Sequence, residues 1–487
     1  MTAQQSKNDE TPVFNFQSGD EFISVLGIRV DLVSFRPHYE ANYWGEASAS
    51  LELVTIIVTH NKTLKQIAIV GGGLSGVTTA YFLARAGFEV AVLERRANVA
   101  EEATFGNSGL LAPCAVQPLV LPGIIKTAFS NLFKNDPPIL VKSGFNPSRW
   151  RWVRKSRREQ RDYFSLHKQR LTRLSAYGQM LALHLQEQYA LEQENSQGLL
   201  HLFRQQADAD RCAGIEDSLQ QFELPRRNLK GLEAIQQVEP AFQSAVPIAG
   251  AMYYPQDAAG NCVLFVKQLR AIAQSIGVQF HFSQSVRSIR PEFGGRVSID
   301  VRGVDDASGD STLTVDGVVL AAGIQNMHLL RPLGVSLPLC PLQSYNAMAA
   351  IKNLDETPRT ALFDETYKVA IARVGNRIRV SGLLGFLPRT DLPHTKAIAS
   401  LLKVANDYYP NAANFNTANF WSSTFALQPN GMPLVGGTAH GNIFINTGHG
   451  VHGWSAAVGS AKLLADAMAG RETEIDSDGL LLSPSAA

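Results

Sequence analysis

An α/β fold is predicted, in which a dinucleotide-binding domain is interrupted by an inserted, mainly antiparallel sheet. A short apolar strand at 67–70, a glycine-rich turn, a helix at 78–86 and a strand at 89–93 form a predicted β-α-β unit. Residues 342–381 alternate apolar and polar side chains around turns, as strands of an antiparallel sheet do. Strand and helix patterns return at 443–469, so we expect both ends of this region to complete one nucleotide domain.

At 487 residues the chain exceeds the size at which a single hydrophobic core stops growing, so more than one domain is expected. Residues 1–64, with strand-like stretches at 22–35 and 51–59, are interpreted as a dispensable extension of unknown role. The remaining segments are 65–145, 256–335 and 426–475 for the three parts of the nucleotide domain, 146–255 for a helical and substrate-domain segment, 336–425 for the substrate domain, and 476–487 for a tail.

The composition favours a protein that acts on a small molecule. The 44 basic and 43 acidic side chains leave a formal charge of +1, so no global field exists to attract nucleic acid. The four cysteines lie far apart, without the spacing of a zinc site or of a disulfide scaffold. Neither a signal peptide nor a membrane-spanning stretch is recognisable, so we expect a cytoplasmic protein.

The glycine-rich turn carries the first chemical signal. Gly71, Gly73 and Gly76 form G-x-G-x-x-G directly after a strand and at the start of a helix, the context expected of a Rossmann-like dinucleotide site. The first glycine permits the turn, the second lets the backbone approach a pyrophosphate, and the third lets helix and strand pack closely. Glu94 ends the second strand, where a carboxylate accepts hydrogen bonds from a ribose and repels the 2′-phosphate of NADP.

Two distant segments favour FAD over NAD. Residues 318–323 are an apolar strand that ends in Ala-Ala-Gly, as expected where a second strand meets the dinucleotide. Residues 446–454 contain several glycines that lead into an amphipathic helix, which creates a second helix N-terminus suited to negative charge. Reduced flavin carries such charge near its N1 atom, so this terminus would stabilise it.

These segments resemble a known family, the small subunit of bacterial D-amino-acid dehydrogenase within the D-amino-acid oxidase and glycine oxidase superfamily. The resemblance covers about residues 65–475, and it is carried by 364–371 with 376–380, by 446–454, and by 104–111, which is similar to the family's flavin-contacting loop. It implies an interrupted Rossmann-like FAD-binding domain with an inserted antiparallel substrate domain. The implied reaction oxidises an amino acid or amine to an imino acid, which water hydrolyses to a keto acid and ammonia.

The resemblance also implies site residues. Those implied to surround FAD are Gly71, Gly72, Gly73, Leu74, Ser75, Gly76, Glu94, Arg95, Asn107, Ser108, Gly109, Leu110, Val286, Ala322, Gly323, Gly448, His449, Gly450 and Val451. Those implied near the substrate are Tyr345, Tyr367 and Arg379. His449, interpreted as part of the flavin loop, and His452 are two further candidate catalytic residues.

Each substrate residue has a plainer interpretation. A tyrosine such as Tyr367 on a half-buried strand is usually a core residue, and Arg379 on an alternating strand is by default solvated. His452 either faces the substrate or fills the turn. His449 and His452 form H-x-x-H, but no ligand pattern surrounds them, so no metal site is predicted.

One position departs from the family pattern. Where the family has an arginine that clamps the substrate carboxylate, in a Gly-Leu-Arg-Pro segment before a Pro-Asp-Gly turn, this chain has Phe425, followed by the Pro-Asn-Gly of 429–431. Three explanations stay open: Arg379 or another basic group takes over, the substrate lacks an ordinary α-carboxylate, or activity is weak or absent.

Alternative functions follow from this departure. The same fold would oxidise a secondary amine, an imino acid or an opine, or the chain would bind flavin without turnover. The electron acceptor, oxygen or a quinone, and the oligomeric state stay undetermined. Residues 149–161 hold seven basic residues and two tryptophans, which suit peripheral contact with the inner membrane face or, equally, a solvated helix with its tryptophans in the core.

Overall fold

The chain divides into two compact units, Met1–Leu64 and Lys65–Ala487. The computed structural model describes residues 64–114, 135–141, 147–192, 194–217, 222, 224–304, 309–386, 394–451 and 453–482, together with four short strands in the first unit. The predicted strand at 51–59 lies outside the described residues. In the first unit, the strands pair as two antiparallel hairpin-like ladders.

The strands, in chain order, are β1 (Ala3–Gln4), β2 (Val13–Phe14), β3 (Phe22–Val25), β4 (Ile28–Asp31), β5 (Gln66–Val70), β6 (Glu89–Leu93), β7 (Leu110–Leu111), β8 (Ile139–Val141), β9 (Ser196–Phe203), β10 (Arg227–Leu229), β11 (Gly250–Ala259), β12 (Gln279–His281), β13 (Gln284–Pro291), β14 (Val297–Gly303), β15 (Asp310–Val315), β16 (Gly317–Leu320), β17 (Cys340–Ala350), β18 (Ala361–Asp364), β19 (Val369–Val374), β20 (Arg377–Phe386), β21 (Asn419–Leu427), β22 (Leu434–Gly437) and β23 (Ile443–Thr447).

The helices, in chain order, are α1 (Leu74–Arg85), α2 (Pro147–Gln188), α3 (Gln206–Asp217), α4 (Leu232–Val238), α5 (Cys262–Ser275), α6 (Asn326–Leu330), α7 (Thr395–Tyr408) and α8 (Trp454–Met468). A 3-10 turn, which we call the flap turn, spans Ala103–Gly106. None of the described helices is both long and apolar enough to cross a bilayer.

A six-stranded sheet in the order β12-β6-β5-β16-β23-β22 forms the nucleotide domain. All neighbouring pairs are parallel except β22 with β23. The central strands β5, β16 and β23 bury Ile67, Val318 and Ile443. Helices α1 and α8 pack on one face of this sheet. The other face packs on a three-stranded antiparallel sheet, β13-β14-β15, because Val318 and Ile443 share an apolar cluster with Ile299 of β14. This sheet draws its strands from early, middle and late parts of the chain, as the alternation of patterns predicts.

The sequence pattern at 313–320 predicts a single strand, and this prediction is wrong. The structure divides this stretch at Asp316 into β15, which pairs antiparallel with β14, and β16, which pairs in parallel with β5 and β23. The Asp316 carboxylate accepts hydrogen bonds from the backbone N–H groups of Lys65 at 3.2 Å and Gln66 at 3.0 Å. This side chain therefore replaces the sheet pairing at the point where the chain passes from one sheet to the other.

A ten-stranded sheet forms the second layer, with the main order β10-β11-β9-β18-β19-β20-β17-β21 and with β7 and β8 pairing at its sides. It is mostly antiparallel, as predicted, with two parallel pairs, β18 with β9 and β20 with β8. One face packs against α7 through an apolar cluster that contains Tyr345, Val380 and Tyr408. Because successive residues of a strand point to opposite faces, Asn346 and Arg379 lie on the other face.

The long helix α2 holds the C-terminal helix α8 in place. A Cβ atom on Gly178 of α2 would lie 1.8 Å from the Ser455 carbonyl oxygen, and one on Gly459 of α8 would lie 2.6 Å from the Leu174 carbonyl oxygen. Glycine at both positions lets the two helix backbones touch. This contact carries α8, and the glycine loop before it, to the end of β23.

Candidate active site

The turn between β5 and α1 leaves no room for side chains. Gly71 adopts a φ of +108°, and a Cβ atom there would lie 2.8 Å from the Ala321 carbonyl oxygen at the end of β16. A Cβ atom on Gly76 would lie 1.8 Å from the Gly71 carbonyl oxygen. The turn therefore brings the N-terminus of α1 directly against the neighbouring strand, and Gly73 caps the helix without a side-chain hydrogen bond of its own.

Glu94 lies beside this turn, at the end of β6. Its Oε2 atom accepts a hydrogen bond from the Gly72 N–H at 2.5 Å, and its Oε1 atom accepts one from the Arg96 N–H at 2.7 Å. Burial raises the pKa of the Glu94 carboxyl above its usual range. Each carboxylate oxygen keeps a further lone pair, so the group suits the two hydroxyls of a ribose.

A cavity of about 630 Å³ opens beside the turn, within the size range of cofactor sites. Its walls come from both sheets: the β5–α1 turn, the flap turn, β21 and the loop between β23 and α8. The predicted cofactor residues that line it are Gly71, Gly73, Leu74, Ser75, Glu94, Arg95, Asn107, Val286, Ala322, Gly323, Gly448, His449 and Gly450.

The other predicted cofactor residues do not line the cavity but belong to the segments that form its wall. Gly72 belongs to the turn itself, and Gly76 lies in the first turn of α1. The Ser108 N–H donates to the Val451 carbonyl at 3.2 Å, which ties the segment after the flap turn to the C-terminal glycine loop. Asn107 Oδ1 accepts from the Gly109 N–H at 2.9 Å, and Leu110 begins β7 in the large sheet.

Several cavity residues escaped the sequence analysis. Thr104, Arg287, Trp421 and Thr447 all line the cavity. Thr104 accepts a hydrogen bond from the Leu74 N–H at 2.9 Å and so joins the flap turn to the start of α1. Thr104 lies in 104–111 and Thr447 lies in 446–454, two stretches that carry the family resemblance, and this is the signal that could have found them. Arg287 and Trp421 come from strands with no local motif.

His449 is held by hydrogen bonds at both ring nitrogens. Nδ1 lies 3.1 Å from Ser75 Oγ in α1, and Nε2 lies 2.8 Å from Ser460 Oγ in α8. The Ser460 hydroxyl donates to Asn446 Oδ1 or to the Ala457 carbonyl, at 2.9 and 3.0 Å, so it accepts from His449 Nε2–H. Although one ring edge reaches the cavity, burial lowers the pKa of His449 to about 3, and the ring is neutral at pH 7.

Arg379 lies in the large sheet, 3% exposed, behind the cavity wall. Its guanidinium donates to the carbonyl oxygen of Phe105 at 2.7 Å, to Asn346 Oδ1 at 3.3 Å and to Ser381 Oγ at 3.0 Å. Burial lowers the pKa of Arg379 to about 10, so the group stays charged at neutral pH. The default interpretation of a solvated strand arginine is therefore wrong.

The two predicted substrate tyrosines do not reach the cavity. The Tyr345 hydroxyl donates to Gln343 Oε1 at 3.0 Å, and burial raises the pKa of Tyr345 to about 12. Tyr367 stacks on the Arg204 guanidinium, whose carbon lies 4.7 Å from the ring centre. Both rings pack with the apolar cluster on the α7 face of the sheet, opposite Arg379. Their role at the substrate stays a prediction that this geometry does not favour, and His452 lies outside the described residues.

Phe425, which the resemblance predicts to stand in place of the family's arginine, lines the cavity. It is 5% exposed and packs with Leu384 and Val451 and with the flap-turn residue Ala103. This part of the wall is therefore apolar.

One buried group of possible metal ligands lies elsewhere among the described residues. The ligand atoms of His201, Cys212 and Glu365 lie within 4.8 Å of one another, and none of the three lines the cavity. Glu365 already pairs with His201 at 2.9 Å, with Lys368 and with Arg211 at 3.3 Å. Lys368 and His201 hold the pKa of this carboxyl well below its usual range although burial opposes them, which is typical of a structural ion-pair cluster.

Comparison with known proteins places the chain in a family. Residues 66–467 match the family model described as FAD dependent oxidoreductase. The chain belongs to this FAD-dependent oxidoreductase family. The predicted FAD cofactor and the predicted enzyme class are thereby confirmed, and the glycine turn, Glu94 and the cavity are features of this chain that fit FAD.

Relatives of known name are similar over most of the chain. The chain is 35% identical over 425 residues to a D-amino acid dehydrogenase of Neisseria meningitidis serogroup C, which covers 86% of this chain and 99% of that protein. A D-amino acid dehydrogenase of Neisseria gonorrhoeae has the same identity and coverage. The resemblance predicted from the motifs is therefore confirmed.

Solved structures share the fold. Glycine oxidase from Geobacillus kaustophilus superimposes with a TM-score of 0.63 at 21% identity, over 86% of this chain and 99% of that one. L-proline dehydrogenase from P. horikoshii gives a TM-score of 0.62 at 14% identity, over 86% and 96%. The predicted α/β architecture with an inserted sheet is confirmed.

Replacing His449 with glutamine should reduce the sensitivity of the fold to acid. The unfolded state takes up a proton near pH 6.5, whereas the folded state does so only near pH 3, so stability is full above pH 6.5 and is lost as pH falls between these values. The wild-type free energy of unfolding should lose up to about 2 kcal/mol from this group between pH 7 and pH 5. Urea unfolding at both pH values measures it.

In His449→Gln, the loss of up to about 2 kcal/mol that comes from His449 should be absent from the free energy of unfolding. His184→Gln, at an exposed position of α2, is the matched control and should show the same loss between pH 7 and pH 5 as wild type. An equal loss in wild type and His449→Gln would contradict a neutral, buried ring.

Proposed function

We propose that this enzyme oxidises the carbon–nitrogen bond of a D-amino acid or a related amine, giving an imino acid that hydrolyses to a keto acid and ammonia. The observation that carries the proposal is a single cavity that joins the dinucleotide turn of one sheet to the apolar and aromatic wall of β21 in the other. Names of relatives at 35% identity over 86% of the chain support the substrate class.

FAD fits the residues of this cavity. The proposed contacts are the pyrophosphate at the N-terminus of α1, the adenosine ribose at Glu94, and the flavin between the flap turn and the loop at 447–450. The Thr447 hydroxyl is buried and has no hydrogen-bond partner in the described ranges of the chain, as expected of a group that serves a ligand. When bound, FAD supplies the hydride acceptor.

The chain's own task is to orient the substrate and to exclude water. The neutral His449 ring has both nitrogens engaged, so it positions the glycine loop and does not exchange protons at pH 7. Phe425 and Trp421 provide apolar surface against which the substrate's side chain rests. No acid–base pair is required, because the neutral amine itself drives the departure of the hydride.

A second candidate, oxidation of a secondary amine or imino acid, is favoured by one observation. Phe425 replaces the arginine that would bind a carboxylate and packs into an apolar wall. Among proteins that share the fold, an iminodiacetate oxidase from Chelativorans sp. BNC1 superimposes with a TM-score of 0.61 at 18% identity. The two candidates differ in the nitrogen substituent that the substrate must carry.

Anaerobic mixing of the FAD-loaded chain with a substrate panel separates the candidates. Apolar D-amino acids should bleach the flavin absorbance faster than their L-enantiomers and faster than N-alkyl amines. Reduction by secondary amines alone would favour the second candidate. Reduction by no member of the panel, in protein that retains FAD, would leave a flavin-binding protein without turnover and would refute the proposed function.

Glu94→Gln tests the proposed ribose contact. Loss of a charge-assisted hydrogen bond should raise the dissociation constant of FAD about tenfold to a hundredfold, measured by titration of the apoprotein. Glu89→Gln removes an exposed carboxylate at the other end of the same strand, where it pairs with Lys65, and should leave the constant unchanged. Equal affinity in wild type and Glu94→Gln would place the ribose elsewhere.

We also infer a peripheral membrane location, on the cytoplasmic face of the inner membrane, with a quinone as electron acceptor. The first turns of α2 expose Arg151, Arg154, Arg157 and Arg158. Trp150 beside them is 44% exposed, whereas Trp152 is buried and donates to the Leu427 carbonyl. An exposed basic face with one exposed tryptophan suits an anionic lipid surface.

Vesicle flotation tests this location. The chain should float with vesicles that contain an anionic phospholipid, and it should remain in the bottom fraction with vesicles of phosphatidylcholine alone. The double variant Arg154→Gln/Arg158→Gln should lose about 2 kcal/mol of binding, about thirtyfold in partitioning. Lys230→Gln/Lys352→Gln removes two exposed charges elsewhere as a control. Absence of flotation by wild type at moderate salt would remove the membrane proposal.

A further inference from the structure

Three nitrogen donors meet on the cavity side of the large sheet. Asn346 of β17 is the register partner of Ser381 in β20 and of Trp421 in β21. Arg379 lies two residues before Ser381, on the same face, and its guanidinium carbon lies 5.5 Å from the centre of the Trp421 ring. The side chains of Arg379, Asn346 and Trp421 therefore form one cluster, which we call the donor cluster. Trp421 borders the cavity together with Phe105, and Arg379 and Asn346 lie behind these two rings.

The charge of this cluster is not neutralised within the described part of the chain. Arg379 forms no ion pair with any described carboxylate, and its three acceptors are a carbonyl, an amide oxygen and a hydroxyl. Burying a charged guanidinium costs free energy, which in folded proteins is normally offset by a neighbouring anion. The cluster therefore suits the binding of one negatively charged group.

Two further donors in the cluster lack acceptors. Asn346 Nδ2 and Trp421 Nε1 are both buried, and neither has a hydrogen-bond partner among the residues that the structure describes. The Asn346 amide cannot turn without loss, because its Oδ1 atom accepts from Arg379 and from the Ser381 hydroxyl at 2.7 Å. Its Nδ2 atom therefore points to the other side, toward Gly106 of the flap turn, where a Cβ atom would lie 3.4 Å away.

We propose that Arg379, Asn346 and Trp421 form the subsite for the carboxylate of the substrate. A carboxylate is planar, carries one negative charge and accepts up to four hydrogen bonds, which suits one guanidinium together with two unpartnered N–H donors in the same cluster. This inference rests on the proposed function and deepens it. The anchoring charge comes from β20, while Phe425 on β21 stays apolar.

The flap turn controls access to this subsite. Phe105 is 46% exposed, and its ring centre lies 5.1 Å from that of Trp421, so the two rings separate the cavity from Arg379. A substrate carboxylate would therefore reach Arg379 only if the Phe105 side chain moved outward. The substrate class that follows is an amino acid with its carboxylate at Arg379 and an apolar side chain against Phe425.

Binding of an unreactive carboxylate tests the subsite without turnover. Isothermal titration of the FAD-loaded full chain with benzoate and with benzamide compares an anion with a neutral molecule of the same shape. Wild type should bind benzoate and should bind benzamide at least tenfold more weakly. Trp421→Phe removes one N–H donor while keeping an aromatic ring, and it should weaken benzoate about tenfold and leave benzamide unchanged.

Trp454→Phe is the matched control, because Trp454 Nε1 is also buried without a partner but lies in α8, outside the cluster. It should leave both affinities unchanged. Arg379→Gln should abolish the preference for benzoate, and if this variant does not fold, Trp421→Phe still decides. Equal benzoate affinity in wild type and Trp421→Phe, or equal binding of benzoate and benzamide by wild type, would overturn the subsite.

These outcomes are separable from those of the proposed function. If D-amino acids reduce the flavin but Trp421→Phe leaves the benzoate affinity unchanged, the subsite is overturned and the proposed function stands. If benzoate binding depends on Trp421 but no amine reduces the flavin, the proposed function is overturned and the anion subsite stands.

Discussion

The contact between the β5–α1 turn and the end of β16 is the constraint on which the cavity depends. Gly71 approaches the Ala321 carbonyl so closely that no other residue type fits, and Gly76 approaches Gly71 in the same way. Because of this contact, the N-terminus of α1, the end of β6 and the end of β16 face one space. A larger side chain at either glycine would push α1 away and separate the groups that line the cavity.

A second constraint joins segments that are far apart in the chain. Ser75 and His449 are 374 positions apart, yet they share a hydrogen bond, and Asn446 Nδ2 donates to Thr79 Oγ1 at 3.0 Å. Buried polar groups of this kind are stable only when every partner is present. The network therefore aligns α1 with α8, and the glycine loop at 448–450 takes its position from both helices.

Local patterns were sufficient for the nucleotide domain and insufficient for the substrate wall. The β-α-β unit, Glu94 and the C-terminal helix depend on glycine spacing and on helical periodicity, which are visible in a single sequence. The facing of Tyr345 and Asn346 depends instead on how β17 pairs with β20 and β21. A shift of one residue in that pairing would exchange the two, and no local pattern determines it.

Long-range hydrogen bonds explain the remaining differences. Asp316 ends a strand by binding the backbone at Lys65 and Gln66, about 250 positions earlier in the chain. The burial of Arg379 likewise depends on the carbonyl of Phe105 and on a ring from β21. Such contacts require the folded chain, and the family resemblance pointed to Arg379 without giving its environment.

The anchoring of α2 has a mechanical consequence. Trp152 Nε1 donates to the Leu427 carbonyl at 3.2 Å, and Arg149 donates to the Phe386 carbonyl at 3.1 Å, so the first turn of this helix is attached to the last residues of β21 and β20. The basic residues follow directly on the outer side of the same turns. The basic surface is therefore coupled to the strands that carry Phe425 and Arg379, both by these two hydrogen bonds and by the apolar packing of Trp152 on Leu427 and Phe386.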